Sequence, residues 1–273
     1  MTAAAAAQVD LSSLTVGFVG VGTINSACVS GLCTCGTPPK AVVLSPRNAK
    51  KAAALAAQWP DLVTVLESAQ AVLDCADWVF VATPPGPANA AAVLEPLRFK
   101  PAHTVVCLIS GVAPEAVGAL VAPAGTLVQA FPLPPAAVHR STTVMWPKNA
   151  RVQSVLARLG GVVPVDNFKE AMTIGAVSCT MGDFYAHLRA THQWLTANGI
   201  GGSTASAAIG SYFATFHAAS ERACPAGFDH LVAEQTPGGM NEQVVAQLAE
   251  MGNYDNVKVA LDTILPRLLG SKL

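Results

Sequence analysis

The chain has 273 residues, enough for one large domain or two moderate ones. It is 52% hydrophobic and 12% charged, which excludes disorder through low hydrophobicity. Sixteen Lys and Arg against 17 Asp and Glu leave a formal charge of −1, and neither half is basic, so composition offers no case for nucleic acid or an anionic membrane.

A mean hydropathy of +0.43 invites a membrane reading. The longest charge-free stretch, residues 190–220, contains His192, Gln193, Asn198, Gly201 and Gly202, and does not read as a run of about 20 apolar residues. The other long one is broken by Pro123, Pro132, Pro134 and Pro135. The opening, residues 1–8, is an alanine run lacking the features of a secretory signal or an Arg-rich transit peptide, and is expected to fray. A soluble, cytoplasmic protein is expected. Seven scattered cysteines, an odd number, point to reduced thiols, and Cys33 and Cys35 lack the second ligand pair of a zinc site, so no metal is expected.

From residue 14 a simple unit repeats. Residues 14–19 read as a strand and 24–33 as a helix; 41–44 as a strand and 49–58 as a helix. Strands at 77–82 and 104–109 are followed by helices at 88–97 and 114–121, and 126–130 is a further strand. Short apolar strands alternating with helices predict βαβ units and a parallel, doubly wound sheet covered on both faces. After Pro147 one more strand is expected at 161–165. From Asn167 onward the chain reads helical, with breaks at Gly199-Ile200-Gly201-Gly202 and Thr236-Pro237-Gly238-Gly239. The expected division is a nucleotide-binding domain, 1–160, and an all-helical dimerisation and substrate domain, 161–273.

The first βα turn reads Gly20-Val21-Gly22-Thr23-Ile24-Asn25, a G-x-G-x-x-G pattern with Asn in the third place. The first Gly permits the turn, the second admits a pyrophosphate, and the third normally allows close helix–strand packing. Asn25 is therefore expected to loosen that packing. The helix N-terminus would present free N–H groups to phosphates. An NAD site expects a carboxylate about 20 residues on. Here the second strand ends in Ser45-Pro46-Arg47-Asn48, followed by Lys50 and Lys51. A hydroxyl, a guanidinium and an amide suit a 2′-phosphate, so NADP, with NADPH preferred over NADH, is the expected cofactor. Ala82, Thr83, Pro84 and Ser110 lie at carboxyl ends of later strands, where ligands of such sheets bind, and complete the expected cofactor set.

Taken together, these segments resemble the pyrroline-5-carboxylate reductase family over nearly the whole chain. Val16-Gly17-Phe18-Val19-Gly20-Val21-Gly22 is similar to the family's opening strand and glycine turn. Ile109-Ser110-Gly111-Val112 stands where the family has Ala-Ala-Gly-Val, and Thr236-Pro237-Gly238-Gly239 resembles its Ser-Pro-Gly-Gly. Residues 248–254 resemble its Leu-Glu-x-Gly-Gly-Phe segment. The resemblance implies NADPH-dependent reduction of a cyclic imine, pyrroline-5-carboxylate to proline, and a helical domain that intertwines with a second subunit in a homodimer or larger homo-oligomer.

Departures concentrate at the family's substrate positions. Its Arg-x-Met-Pro-Asn is here Gln129-Ala130-Phe131-Pro132-Leu133, and its Ser-Gly-Ser-Gly-Pro-Ala is Ala176-Val177-Ser178-Cys179-Thr180-Met181. Its substrate-binding Thr is Asn241. Asn241, Ser178 and Thr180 are the expected catalytic residues, and Thr236, Pro237, Gly238 and Gly239 the expected substrate-binding ones. A helix starting near Met240 would offer unpaired N–H groups to a substrate carboxylate. A carbonyl substrate would need a proton donor, for which Tyr185, His187 and His192 are further candidates. The two histidines do not share one helix face well and read as ordinary surface residues. No Lys follows Lys169 on the long helix, which argues against the lysine-dependent β-hydroxyacid dehydrogenases. Two alternatives remain open: reduction of a different imine or carbonyl, and a weakly catalytic dimeric NADP-binding protein.

Overall fold

The structure is a computed structural model that describes residues 8–221 and 227–269. The chain divides into two compact units, residues 1–176 with 265–273, and residues 177–264. The boundary expected at 160/161 differs from this division, because the strand that begins at Gly160 is hydrogen-bonded into the first unit's sheet. The expected fraying of residues 1–8 falls, but for Gln8, outside the described residues, as does Cys224.

The first unit begins with β1 (Thr15–Val19), α1 (Thr23–Thr34), β2 (Ala41–Leu44), α2 (Ala49–Gln58), β3 (Val63–Val65), α3 (Ala69–Cys75) and β4 (Trp78–Val81). It continues through α4 (Pro87–Leu94), β5 (Thr104–Cys107), α5 (Pro114–Val121), β6 (Thr126–Phe131), β7 (Ser141–Trp146), α6 (Ala150–Leu156), β8 (Gly160–Pro164) and α7 (Phe168–Ala176). The strands form one sheet in the order β3-β2-β1-β4-β5-β6-β7-β8. The order reverses between β1 and β4, the switch point where open α/β sheets bind ligands. All pairings are parallel except β6 with β7.

The β-branched run Ser141-Thr142-Thr143-Val144-Met145-Trp146 is a strand the sequence reading passed over, and it makes the sheet mixed rather than parallel throughout. The short link after β6, ending at left-handed His139, is too brief for a crossover helix, so the chain folds straight back. Strand β3 and helix α3 were likewise not anticipated; three residues give little periodicity to detect.

Alternate side chains of each central strand feed opposite cores. Val16, Phe18, Trp78 and Phe80 join one cluster; Val19, Val79 and Val81 join the other. Phe18 and Phe80 stack at 5.0 Å between ring centroids. Residue Gly17 of β1 lets α3 approach, since a Cβ there would lie 2.6 Å from Val72 and 2.8 Å from Ala76. A third, smaller cluster of Val144, Val165, Ala171 and Met172 is covered in part by Leu265, Leu268 and Leu269.

The second unit contains α8 (Met181–Ala197), α9 (Gly202–Ser220), α10 (Asp229–Ala233), α11 (Met240–Glu250) and α12 (Asn253–Leu268) up to Ile264. Helices α8 and α9 are antiparallel. His192 meets the Gly202 carbonyl at one end (3.2 Å), and Phe184 meets Phe213 edge-on at the other. Among its described residues only Ala205 and Ile209 are buried, while Tyr185, Trp194, Tyr212, Phe216, Met240 and Met251 are more than half exposed. No described helix is long and apolar enough to cross a membrane.

Candidate functional site

Four strands of the first unit end in one cleft of about 490 Å³. The chain leaves β1 through Gly20, whose φ of +84° suits glycine, and a Cβ there would collide with the Ala82 carbonyl. The next glycine, Gly22, is open: a Cβ on it would meet nothing within 4 Å. Helix α1 starts immediately after it. Its N-cap is Gly22 itself, no side chain caps the first turn, and no acid lies in that turn. The first N–H groups of an uncapped helix have no carbonyl partner and carry partial positive charge, so they face the cleft ready for an anion.

The third position of the glycine pattern departs from expectation. Asn25 does not loosen the turn. It is fully buried, and its amide donates to the carbonyls of Gly20 (2.8 Å) and Val19 (3.2 Å). It fastens the end of β1 to the start of α1, where a glycine would only have fitted. Ser45 at the end of β2 is also buried and accepts the Gly20 N–H at 2.9 Å. Both residues shape the cleft from behind and are not part of its lining.

Of the expected cofactor residues, Gly20, Gly22, Thr23, Ile24, Arg47, Asn48, Ala82, Thr83 and Pro84 line the cleft. The Ser110 residue does not; its carbonyl accepts the Gly86 N–H at 3.2 Å, tying two strand-end loops together. Val21, Ala49 and Leu108 line the cleft and were not singled out. The first is a variable position of the glycine turn, and Leu108, just beyond β5, was read as part of a buried strand.

At the far end of the cleft Asn48 caps α2 by accepting the Lys51 N–H (3.3 Å). The Lys51 ammonium reaches across to the Thr23 hydroxyl at 3.2 Å, bringing a second cation to the exposed Arg47 side. No carboxylate lines the cleft. Uncapped N–H groups beside an open Gly22 fit a pyrophosphate, and Arg47 with Lys51 fits a further phosphate. The thiols do not compete for a chemical role here: burial pushes Cys28, Cys33 and Cys107 up to about 12, so they stay protonated.

The expected substrate residues lie in the second unit and are not all brought together. Thr180 borders a cavity of about 730 Å³ with Cys179, Asp183, Phe184 and His187 on one wall and Tyr254, Val257 and Leu261 on the other. Its hydroxyl donates to the Val177 carbonyl at 2.7 Å. Ser178 is exposed. Asn241 and the segment Thr236-Pro237-Gly238-Gly239 do not line that cavity. They form an exposed turn, closed by Gly239 N–H to the Thr236 carbonyl (2.9 Å), from which α11 starts at Met240 as expected. The Asn241 amide donates to Gln235 at 2.8 Å, and the Gly238 N–H donates to the Glu242 carboxylate at 2.6 Å. Gln129, in the first unit, is buried with its amide on the Val112 carbonyl (3.3 Å) and its oxygen unpartnered.

Comparison with known proteins finds similarity over the first unit in sequence and over most of the chain in fold. Residues 15–114, less than half of the chain, match the family model described as NADP oxidoreductase coenzyme F420-dependent. No curated protein sequence matches the chain. A pyrroline-5-carboxylate reductase from Streptococcus pyogenes superposes with a TM-score of 0.80 at 20% identity, over 94% of this chain and 99% of that one. A Plasmodium falciparum pyrroline carboxylate reductase with NADP bound gives 0.80 at 15% identity, over 96% and 100%. A reductive aminase from Aspergillus terreus, in complex with NADPH, gives 0.57 at 14% identity, over 82% and 77%. The resemblance read from the sequence therefore holds at the level of the fold: an N-terminal, Rossmann-like sheet followed by a helical region.

Proposed function

We propose that this chain is an NADPH-dependent reductase that delivers a hydride to the C=N bond of a small cyclic imine, the class to which pyrroline-5-carboxylate belongs. The observation that carries the reading is the cleft at the switch point, lined by an uncapped helix start, an open glycine and Arg47 but no carboxylate, with Lys51 reaching its Thr23. Backbone N–H groups of Thr23 and Ile24 at the uncapped helix start would hold the pyrophosphate, and Arg47 with Lys51 the 2′-phosphate. The bound nicotinamide would supply the hydride, leaving the protein to bind and orient.

Reduction adds a hydride at carbon and a proton at nitrogen. A protonated imine already carries that proton, so no strong acid is required of the chain, whereas a carbonyl would require one. This favours an imine over a carbonyl for a site built from Asn241 and the Thr236–Gly239 turn. Ser178 and Thr180 on the segment before α8 are assigned to the same substrate side. The helical unit is proposed to pair with that of a second copy, forming a homodimer or larger assembly. Aromatic residues exposed on α8 and α9 support this, since such a face is stable in water only when covered.

The test is cofactor discrimination. A charged hydrogen bond to a 2′-phosphate contributes about 1.5–3 kcal/mol, and about 1.4 kcal/mol is tenfold in affinity. Arg47→Ala should weaken NADPH binding by about tenfold or more and leave NADH nearly unchanged. Equal losses for both cofactors would remove Arg47 from the 2′-phosphate.

A further inference from the structure

The cavity that Thr180 borders has more room than a five-membered ring needs. It measures about 730 Å³ and lies within the second unit alone. A space of about 150 Å³ already admits benzene, and pockets for drug-sized molecules run from about 300 to about 1,000 Å³. Val257, Leu261 and Ile264 recur on α12 at helical spacing and give the cavity one apolar side. Phe184 of α8 and Tyr254 of α12 add aromatic surface.

Its charge has one sign. Asp183 is the one carboxylate among the lining residues, which include neither Lys nor Arg. No described hydrogen bond or ion pair engages that carboxylate. His187, four residues further along α8, lines the same side, with its ring edge-on to Phe213 at 5.7 Å between centroids. An unpaired carboxylate beside aromatic rings attracts a cation that carries apolar bulk. A protonated cyclic imine is such a cation, and so is the ammonium form of the amine it becomes.

We propose that this cavity binds a protonated cyclic imine bearing a large apolar substituent. Asp183 pairs with the nitrogen, and the side built by Val257, Leu261 and Ile264 takes the substituent. The inference rests on the reading of Ser178 and Thr180 as the substrate side, and deepens the proposed reduction by naming what the ring carries.

The experiment measures binding to the full chain by calorimetry with three probes. They are 2-phenylpyrrolidine, the smaller pyrrolidine, and 2-phenyltetrahydrofuran, which keeps the shape without the charge. The wild type should bind 2-phenylpyrrolidine about tenfold or more tightly than either of the others. Asp183→Asn should erase its advantage over 2-phenyltetrahydrofuran. Ala260→Phe, which fills the cavity from α12, should erase its advantage over pyrrolidine. With NADPH, 2-phenyl-1-pyrroline should be reduced with a kcat/KM about tenfold or more above that of 1-pyrroline. No saturable binding of 2-phenylpyrrolidine, or affinities unmoved in both variants, overturns the proposal. A lower melting point in Asp183→Asn with affinity unmoved also overturns it, leaving Asp183 as a partner of the α8 dipole only. Reduction of 1-pyrroline in preference to its phenyl derivative overturns the proposal and leaves imine reduction standing. Binding as expected with reduction of neither imine upholds the cationic site and overturns imine reduction.

Discussion

Asn25 shows how a departure from a motif can be read wrongly from spacing and rightly from hydrogen bonds. Three glycines are expected in such a turn because each must be small, and Asn in the last place suggested a looser joint. Burial with two donated bonds makes it a clamp instead. Removing it leaves two carbonyls at the end of β1 without that donor, at a cost of about 1–3 kcal/mol. Asn25→Ala should therefore lower the unfolding free energy by that amount in denaturant titrations and weaken NADPH binding about tenfold. An unchanged midpoint together with unchanged affinity would show that the turn holds its shape without the amide. The nine cleft-lining residues named from sequence were legible because they sit on backbone: strand ends and a glycine turn fix them wherever side chains point. Asn25, Ser45 and Ser110 lie outside the lining because their placement depends on which partner a polar group finds, and no local pattern encodes that.

Elements were legible where they are long and periodic. The strands β1, β2, β4, β5 and β6 were found with boundaries within two residues of the observed ones, and α8 and α9 were found from the glycine break between them. Strand β3 is three residues long, and β7 follows a Pro-rich link that masked it. The link between α4 and β5 carries a pH-sensitive contact to α3. His103 is buried at 2% exposure, accepts the Lys100 N–H on Nδ1 (3.0 Å) and donates from Nε2 to the Leu73 carbonyl (2.9 Å). That pattern requires the neutral ring with its proton on Nε2. Burial, aided by the Lys100 charge, holds His103 below its ordinary 6.5 against the opposing pull of the Leu73 carbonyl. With a lowered folded value the unfolded state binds the proton first. Stability is then complete above 6.5 and is lost as pH falls from there toward the lowered folded value. Wild type should lose more stability than His103→Gln on going from about pH 7.5 to about pH 5.5. Parallel losses in both proteins would mean that His103 does not set the slope.

At the scale of the whole molecule, the two units differ in how complete they are. The first has strands buried on both faces and three hydrophobic clusters. The second has two buried residues among those described and a row of exposed aromatics, so its folding needs cover from another surface. The second copy proposed above would supply it, because an interface between identical faces closes on itself. Light scattering should find a dimer or larger assembly at micromolar concentration, and Phe216→Glu with Tyr212→Glu should shift it toward monomer with a lower melting point. A stable wild-type monomer would contradict this. The helical unit and a partner for it were both expected from the sequence; burial adds which of its residues are left exposed.

The account as a whole rests on hydride transfer from NADPH to a C=N carbon. The most direct measurement uses NADPH deuterated at the nicotinamide C4, incubated with the protein and 1-pyrroline, with the amine product examined by mass spectrometry and NMR. One deuterium on the former imine carbon, appearing with NADP⁺ in equal amount, is the predicted result. Saturable NADPH binding with no reduced amine, or an amine without the label, would contradict it.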